Sequence, residues 1–127
     1  MLCFYACVSG AKDGIIYGKQ GADSFDFNEH VFFVLERCFV GLIAILGLYF
    51  GVKNVLDIVA TILSFLFCFP FLHNGCYYVT RSYIDIDYYH WYSDSKTSSA
   101  KFNFSFLLRT LLFFIGVIVF ACYLLFC

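Results

Sequence analysis

Residues 27–72 read "FNEHVFFVLERCFVGLIAILGLYFGVKNVLDIVATILSFLFCFPFL", two long apolar runs separated by a short polar turn. Each run is apolar all round and too long for an ordinary strand, so we predict helices over residues 31–52 and 55–72. About 20 such residues cross a hydrocarbon core about 30 Å thick. Because so few residues join them, the two helices must form an antiparallel hairpin. Its outer ends then meet at one membrane face, here called face A.

The composition of the whole chain indicates one membrane domain, residues 1–127. Of the 127 residues, 62% are hydrophobic, 23% are aromatic and only 13% are charged. A soluble domain of this size has too much surface to hide so many apolar side chains from water. The bilayer is therefore the expected partner. The net charge of −1 gives no indication of nucleic-acid binding.

Beyond the hairpin, a third transmembrane helix is predicted over residues 106–127. The connector that precedes it, residues 74–105, is rich in tyrosine, and such amphipathic rings concentrate at the head-group level. We therefore expect the connector to lie at the interface on face A. A serine and threonine cluster before the third helix reads as a loop, and Asn103 or Ser105 could cap that helix.

Residues 1–25 are predicted to hold a short helix followed by a loop. Gly10, Gly14 and Gly18 recur at every fourth position and form a ridge suited to close helix packing. The predicted fold class is thus an all-α membrane protein with three transmembrane helices, a short N-terminal helix and an aromatic connector.

Lysine and arginine predict the orientation. Seven of these eight residues fall on face A, and only Lys53 falls on the other face. Positive charge marks the cytoplasmic side, so residues 74–105 are predicted to be cytoplasmic. The seven cysteines cannot all pair with one another, and free thiols suit a reducing compartment.

Three elements carry a resemblance to a known group: "FNEHVFFVLER" (27–37), "FPFLHNGCYYVTR" (69–81) and "DSKTSSAKFNF" (94–104). Together they resemble uncharacterised small membrane proteins of Bacteroidota and their phages, across roughly residues 13 to 115. The resemblance implies this architecture and a bacterial inner membrane, without an activity. Asn74 stands where that group often has Asp, which weakens a metal or acid role there.

Histidines and carboxylates at face A are the candidate chemical groups. His30 begins the first hairpin helix and His73 ends the second, so both should lie at face A, with Glu29 beside His30. Such ligands could bind a divalent metal such as zinc, and with Arg81 they could serve a hydrolase. No HExxH or CxxC motif is present, and histidines satisfied by nearby carboxylates or water are the alternative.

Charged and aromatic side chains near face A suggest two further roles. Glu36, or else a connector carboxylate, is predicted to form an ion pair with Arg109 that locks the helices together. Arg37 should reach toward the surface of face A. The candidates for binding a lipid or a partner protein are Arg37, Tyr77, Tyr78, Arg81 and Trp91.

Three functions remain open from the sequence. The first is a small membrane interaction or modulator protein that binds lipid head groups or a membrane partner at the face A cluster. The second is a membrane-embedded metal- or His-dependent hydrolase at the same cluster. The third is a holin-like pore, assembled as a homo-oligomer through Gly41, Gly47 and Gly51. The sequence indicates no particular cofactor.

Overall fold

The computed structural model describes residues 2–20, 29–51, 54–88, 90–94 and 104–126, and its regular structure in these ranges is entirely helical. The helices are α1 (Leu2–Gln20), α2 (Glu29–Gly51), α3 (Val55–Ile84) and α4 (Phe106–Phe126). The all-α prediction is confirmed. α2, α3 and α4 are each long and apolar enough to cross a membrane, which confirms the three predicted spans.

α3 is the central helix, and its two sides contact different neighbours. On one side, Ser64 Oγ donates to the Gly116 carbonyl at 2.9 Å, and Cys68 Sγ approaches the Phe113 carbonyl, so α4 packs antiparallel there. On the other side, His73 contacts both α1 and Arg37 of α2. The Arg37 contact confirms the antiparallel hairpin, because it joins the beginning of α2 to the later part of α3.

The glycine ridge of α1 brings its backbone against α3. A Cβ added to Gly14 would lie 2.9 Å from the Tyr77 carbonyl oxygen, and one added to Gly10 would overlap the His73 carbonyl. At Gly18 the nearest atom is in a side chain, because a Cβ there would lie 3.0 Å from Ile84 Cδ1. Small residues allow this close approach of two helices. The predicted ridge is confirmed, and it makes α1 part of the bundle, running parallel to α3.

Both ends of the α3–α4 interface are anchored by specific contacts. At one end, the Tyr123 hydroxyl donates to the Asp57 carboxylate. At the other, Ser105 Oγ accepts from the Leu108 backbone amide at 3.2 Å, so Ser105 caps α4 as predicted. Between them, a Cβ on Gly116 would lie 2.8 Å from the Ser64 carbonyl, another close backbone approach.

The helix of the second predicted span extends beyond residue 72, where that span was predicted to end. α3 continues through Asn74 and Gly75 to Ile84, so the connector begins only at Asp85. Contacts with α1 at Tyr77 and Ile84 accompany this extension. Tertiary packing of this kind routinely overrides a local helix-breaking signal. The hairpin turn keeps its predicted place, with Asn54 Oδ1 capping α3 through the Leu56 amide.

The glycine ridge gives a matched test of the α1–α3 packing. Gly10→Ala should destabilise the protein by about 1–3 kcal/mol, because the new methyl group overpacks against the His73 carbonyl. Gly41→Ala is the control, since no atom lies within 4 Å of a Cβ there. It should be neutral or stabilise by up to about 1 kcal/mol through helix propensity. Reversible unfolding in mixed micelles measures both, and equal effects would contradict the close contact.

Candidate functional site

Two ion pairs join α1 to α2. Lys12 and Asp13, adjacent on α1, pair with Glu36 and Arg37, adjacent on α2. Arg37 Nη2 donates to Asp13 Oδ2 at 2.8 Å. The charges balance, so the two pairs place no net charge between the helices. With His73 of α3, these residues are called the ion-pair cluster below.

His73 ties the cluster to α3. Its Nε2 lies 2.9 Å from Arg37 Nη2 and 3.1 Å from Asp13 Oδ2, while its Nδ1 lies 3.3 Å from Asn74 Oδ1. With the proton on Nδ1 donated to Asn74, Nε2 accepts from Arg37 in the neutral ring. In the imidazolium form Nε2 donates to Asp13 instead. Either form of His73 therefore finds a partner within the cluster.

An aromatic ring completes the environment of the cluster. The ring of Phe69 stacks on His73 with centroids 5.1 Å apart, and the guanidinium of Arg37 lies 5.4 Å from the same ring. Cation–π contacts of this kind gain strength when the cation is withdrawn from water. Phe69 thus shields the cluster on the α3 side and holds Arg37 in place.

Burial determines what the cluster contributes. Asp13 is only 4% exposed, and among the described residues its Oδ1 has no hydrogen-bond partner. Removing one member of a buried ion pair typically costs about 3–5 kcal/mol, because the other charge is left buried and uncompensated. The inner pair, Asp13 and Arg37, should therefore hold α1 and α2 together far more strongly than the half-exposed outer pair of Lys12 and Glu36.

A second buried cation, Arg109, fastens the connector. Arg109 is 1% exposed, and its Nη2 donates to the Ser93 carbonyl. Its guanidinium lies 5.6 Å from the Tyr78 ring. Next to it, Asp94 Oδ1 accepts from the Phe106 amide at 2.7 Å, at the start of α4. These contacts hold the end of the connector against both α3 and α4.

The last turn of α3 and the first part of the connector present apolar and aromatic side chains to the surroundings. Tyr83 is 92% exposed, Ile86 is 89% exposed and Trp91 is 47% exposed. The Arg81 guanidinium lies 4.2 Å from the Tyr88 ring. We call these five side chains the connector surface.

The structure places some predicted site residues as expected and others elsewhere. Arg37 and His73 do come together near the end of the hairpin, where Arg37 is engaged in the cluster with its side chain 31% exposed. Tyr77 and Tyr78 are buried, so they form no part of an exposed binding surface. Glu29 and His30 lie in the first turn of α2, and their side chains lie outside the described part of the chain.

The predicted ion pair between Glu36 and Arg109 is wrong. Glu36 pairs with Lys12, and Arg109 binds the connector through Ser93. The reason is the arrangement around α3, which has α1 and α2 on one side and α4 on the other. The connector does hold Arg109, as the alternative prediction allowed, but through a backbone carbonyl, with the Asp94 carboxylate nearby.

Asp13 is the site residue that the sequence reasoning missed. It lies between Gly10 and Gly14, so the ridge that packs on α3 also carries Asp13 into the interface. A carboxylate within a small-residue ridge was the available signal. A carboxylate buried between packed helices needs a compensating charge, so its position in the ridge predicts partners on neighbouring helices.

The described residues include no group of three or more His, Cys, Asp or Glu side chains arranged to hold a metal ion. Metal binding by Glu29, His30 and His73 therefore stays a prediction, because two of these side chains are outside the description. The six cysteines that the structure describes are free thiols.

Comparisons with protein-family models, curated proteins and solved structures found no match for this chain.

A double-mutant cycle tests the inner ion pair. Asp13→Asn and Arg37→Gln should each destabilise the protein by about 3–5 kcal/mol. The double variant should cost less than the sum of the two, because it removes both charges together. Unfolding in mixed micelles supplies the free energies. Lys12→Ala is the matched control and should cost about 0–1 kcal/mol. Additive costs at Asp13 and Arg37 would show that the pair is not coupled.

Arg109 should control the order of the connector. Arg109→Lys keeps a cation but loses the planar fork that reaches both the Ser93 carbonyl and the Tyr78 ring. We expect faster limited proteolysis within residues 85–94, by about tenfold for a loss of about 1.4 kcal/mol of local stability. Lys12→Ala serves as the control, because Lys12 pairs with Glu36 in the ion-pair cluster. Unchanged cleavage in Arg109→Lys would contradict the clamp.

Proposed function

We propose that this protein is a small integral membrane interaction protein whose connector surface binds zwitterionic phospholipid head groups. The observation that supports this most is the connector surface itself, where Tyr83 in the last turn of α3, and Ile86 and Trp91 after it, are exposed. Aromatic side chains are enriched at membrane interfaces because one end is apolar and the other is polar.

The charges near the connector surface favour a zwitterionic head group. Arg81 is the one arginine in residues 81–94, and it can pair with a phosphate while it stacks on Tyr88. Three aspartates share the same stretch, and all three, Asp85, Asp87 and Asp94, are exposed. Their carboxylates suit the ammonium group of a zwitterionic lipid, and they would repel a strongly anionic surface.

The ion-pair cluster has a different role in this proposal. Its charges are balanced and partly buried, so it positions α1 and α2 along α3. Arg109 then fixes the end of the connector that carries Trp91. The proposed orientation keeps the connector on the cytoplasmic side, where the excess of Lys and Arg predicts it, in a bacterial inner membrane.

The two other functions have less support. A hydrolase at Glu29, His30, His73 and Arg81 would need a free imidazole, whereas His73 Nε2 contacts both Arg37 and Asp13. A holin-like pore would need a polar stripe along an exposed helix face. The exposed faces of α2 and α4 that the structure describes are dominated by large apolar side chains.

Trp91 fluorescence tests the proposed function directly, because Trp91 is the single tryptophan of the chain. The protein is reconstituted into phosphatidylcholine vesicles that contain a lipid with a quencher at the head-group level. We expect strong quenching by this lipid, and weak quenching by aqueous iodide. Replacing half of the lipid with phosphatidylglycerol should reduce the head-group quenching, since the aspartates oppose an anionic surface.

The control variants separate the connector surface from the bundle. Tyr83→Ala with Ile86→Ala should shift Trp91 toward iodide access, whereas Leu111→Ala, an exposed position on α4, should leave it unchanged. Full iodide access with no head-group quenching in the unaltered protein would overturn the proposal. It would instead indicate a connector surface that faces water and is open to a partner protein.

A further inference from the structure

An apolar cavity of about 1000 Å³ lies between the N-terminal half of α1 and the neighbouring helices. Tyr5 and Val8 of α1, Ala44 and Gly47 of α2, and Phe65 of α3 form part of its wall, and α4 contributes Phe120. The cavity is partly open to the surroundings. Neither the ion-pair cluster nor the connector surface contributes to its lining, so it is a separate feature of the fold.

The cavity follows from the limited reach of α1. Gly10 lies level with His73, and Leu2 precedes Gly10 by eight residues, about 12 Å of helix. Val55 precedes His73 by 18 residues, about 27 Å. α1 therefore starts about 15 Å short of the hairpin turn. Between the start of α1 and the hairpin turn, α1 does not fill the space between α2 and α3.

The lining has the polarity of hydrocarbon. No charged residue is among the side chains that form the wall, and polar side-chain oxygens come only from Tyr5, Thr61 and Ser64. The Ser64 hydroxyl is already donated to the Gly116 carbonyl. The α2 and α3 residues that line the cavity belong to the apolar spans of those helices. An apolar occupant therefore loses no hydrogen bond on entering.

A membrane offers two kinds of apolar occupant, a spanning helix and a lipid acyl chain, and these two differ in volume. A spanning helix about 10 Å wide and 30 Å long fills about 2400 Å³, more than twice the cavity volume, so the cavity could take only one face of such a helix and could not enclose it. A flexible hydrocarbon chain can enter from the side and adapt to the available space. Cavities of about 300–1000 Å³ are also those that typically enclose a small apolar ligand.

We infer that this cavity is a binding site for one fatty acyl chain of a membrane phospholipid. The chain enters sideways between α1 and α2 and packs against Ala44 and Gly47 on one side and Phe65 on the other. The ion-pair cluster lies one to three helical turns further along α1. It closes the end of the cavity that faces His73. The site is independent of head-group binding at the connector surface and requires only that the bundle lie in a bilayer.

Photolabelling in vesicles tests the site. The full chain is reconstituted with a phosphatidylcholine that carries a diazirine near the end of one acyl chain. After irradiation, the labelled residues are mapped by mass spectrometry. We expect labelling concentrated at Ala44, Gly47, Thr61 and Phe65. Leu107, Leu111 and Ile118, which are exposed on α4, report contact with bulk lipid and should be labelled less.

Two glycines of α2 provide the matched variants. Gly47→Leu places a side chain in the cavity and should lower the cavity labelling by about tenfold. Gly41→Leu adds the same side chain to the same helix outside the cavity lining and should leave the labelling unchanged. Equal unfolding stability of the two variants shows that Gly47→Leu is folded. Trp91 quenching should be the same in both, so failure of this site is distinguishable from failure of the proposed function.

Two results would overturn the inference. Labelling spread evenly over the cavity and the α4 surface would show that the probe meets only bulk lipid. Crosslinks between two copies of the chain through Ala44 or Gly47 would show that a protein partner occupies the space instead.

Discussion

The contact between the Gly10 backbone and the His73 carbonyl is the constraint on which the rest of the structure depends. It sets both the spacing and the register of α1 against α3. At this register Asp13 lies beside His73, and Lys12 and Asp13 meet Glu36 and Arg37. A larger residue at position 10 would separate the helices and break these short, directional contacts together. Close backbone packing and charge compensation are thus two results of the same register.

The polar groups are concentrated where helices must be held in place. The ion-pair cluster holds α1 and α2, Arg109 holds the connector, and the Asp57–Tyr123 contact holds the far end of α4 against α3. The described surfaces of α2 and α4 are dominated by large apolar side chains, which suit hydrocarbon but give little preference for one helix arrangement over another. In such surroundings, specificity comes from small residues and satisfied polar contacts, since lipid chains compete equally with apolar side chains.

The hairpin, the three spans and the glycine ridge could be predicted from the sequence, because run length and residue spacing determine them directly. The Ser105 cap was predictable for the same reason. The partners of charged residues were not. Glu36 met Lys12 and not Arg109, because pairing depends on which side of α3 each neighbouring helix occupies. Tyr77 and Tyr78 belong to a tyrosine-rich stretch typical of an interface, yet the extension of α3 turns them inward. Contacts between distant segments decide both outcomes, and local pattern does not encode them.

The composition of α1 has a consequence for how the protein is made. α1 carries Lys12, Asp13 and Lys19 together with three glycines, and it is not among the helices apolar enough to cross a membrane. It cannot enter hydrocarbon on its own hydrophobicity, and its carboxylate finds compensation only once Arg37 and His73 are in position. α1 leaves the ribosome before the α2–α3 hairpin and must therefore wait for that hairpin to insert. Synthesis and assembly run in opposite order along this part of the chain, because α1 is made before the hairpin and is seated after it.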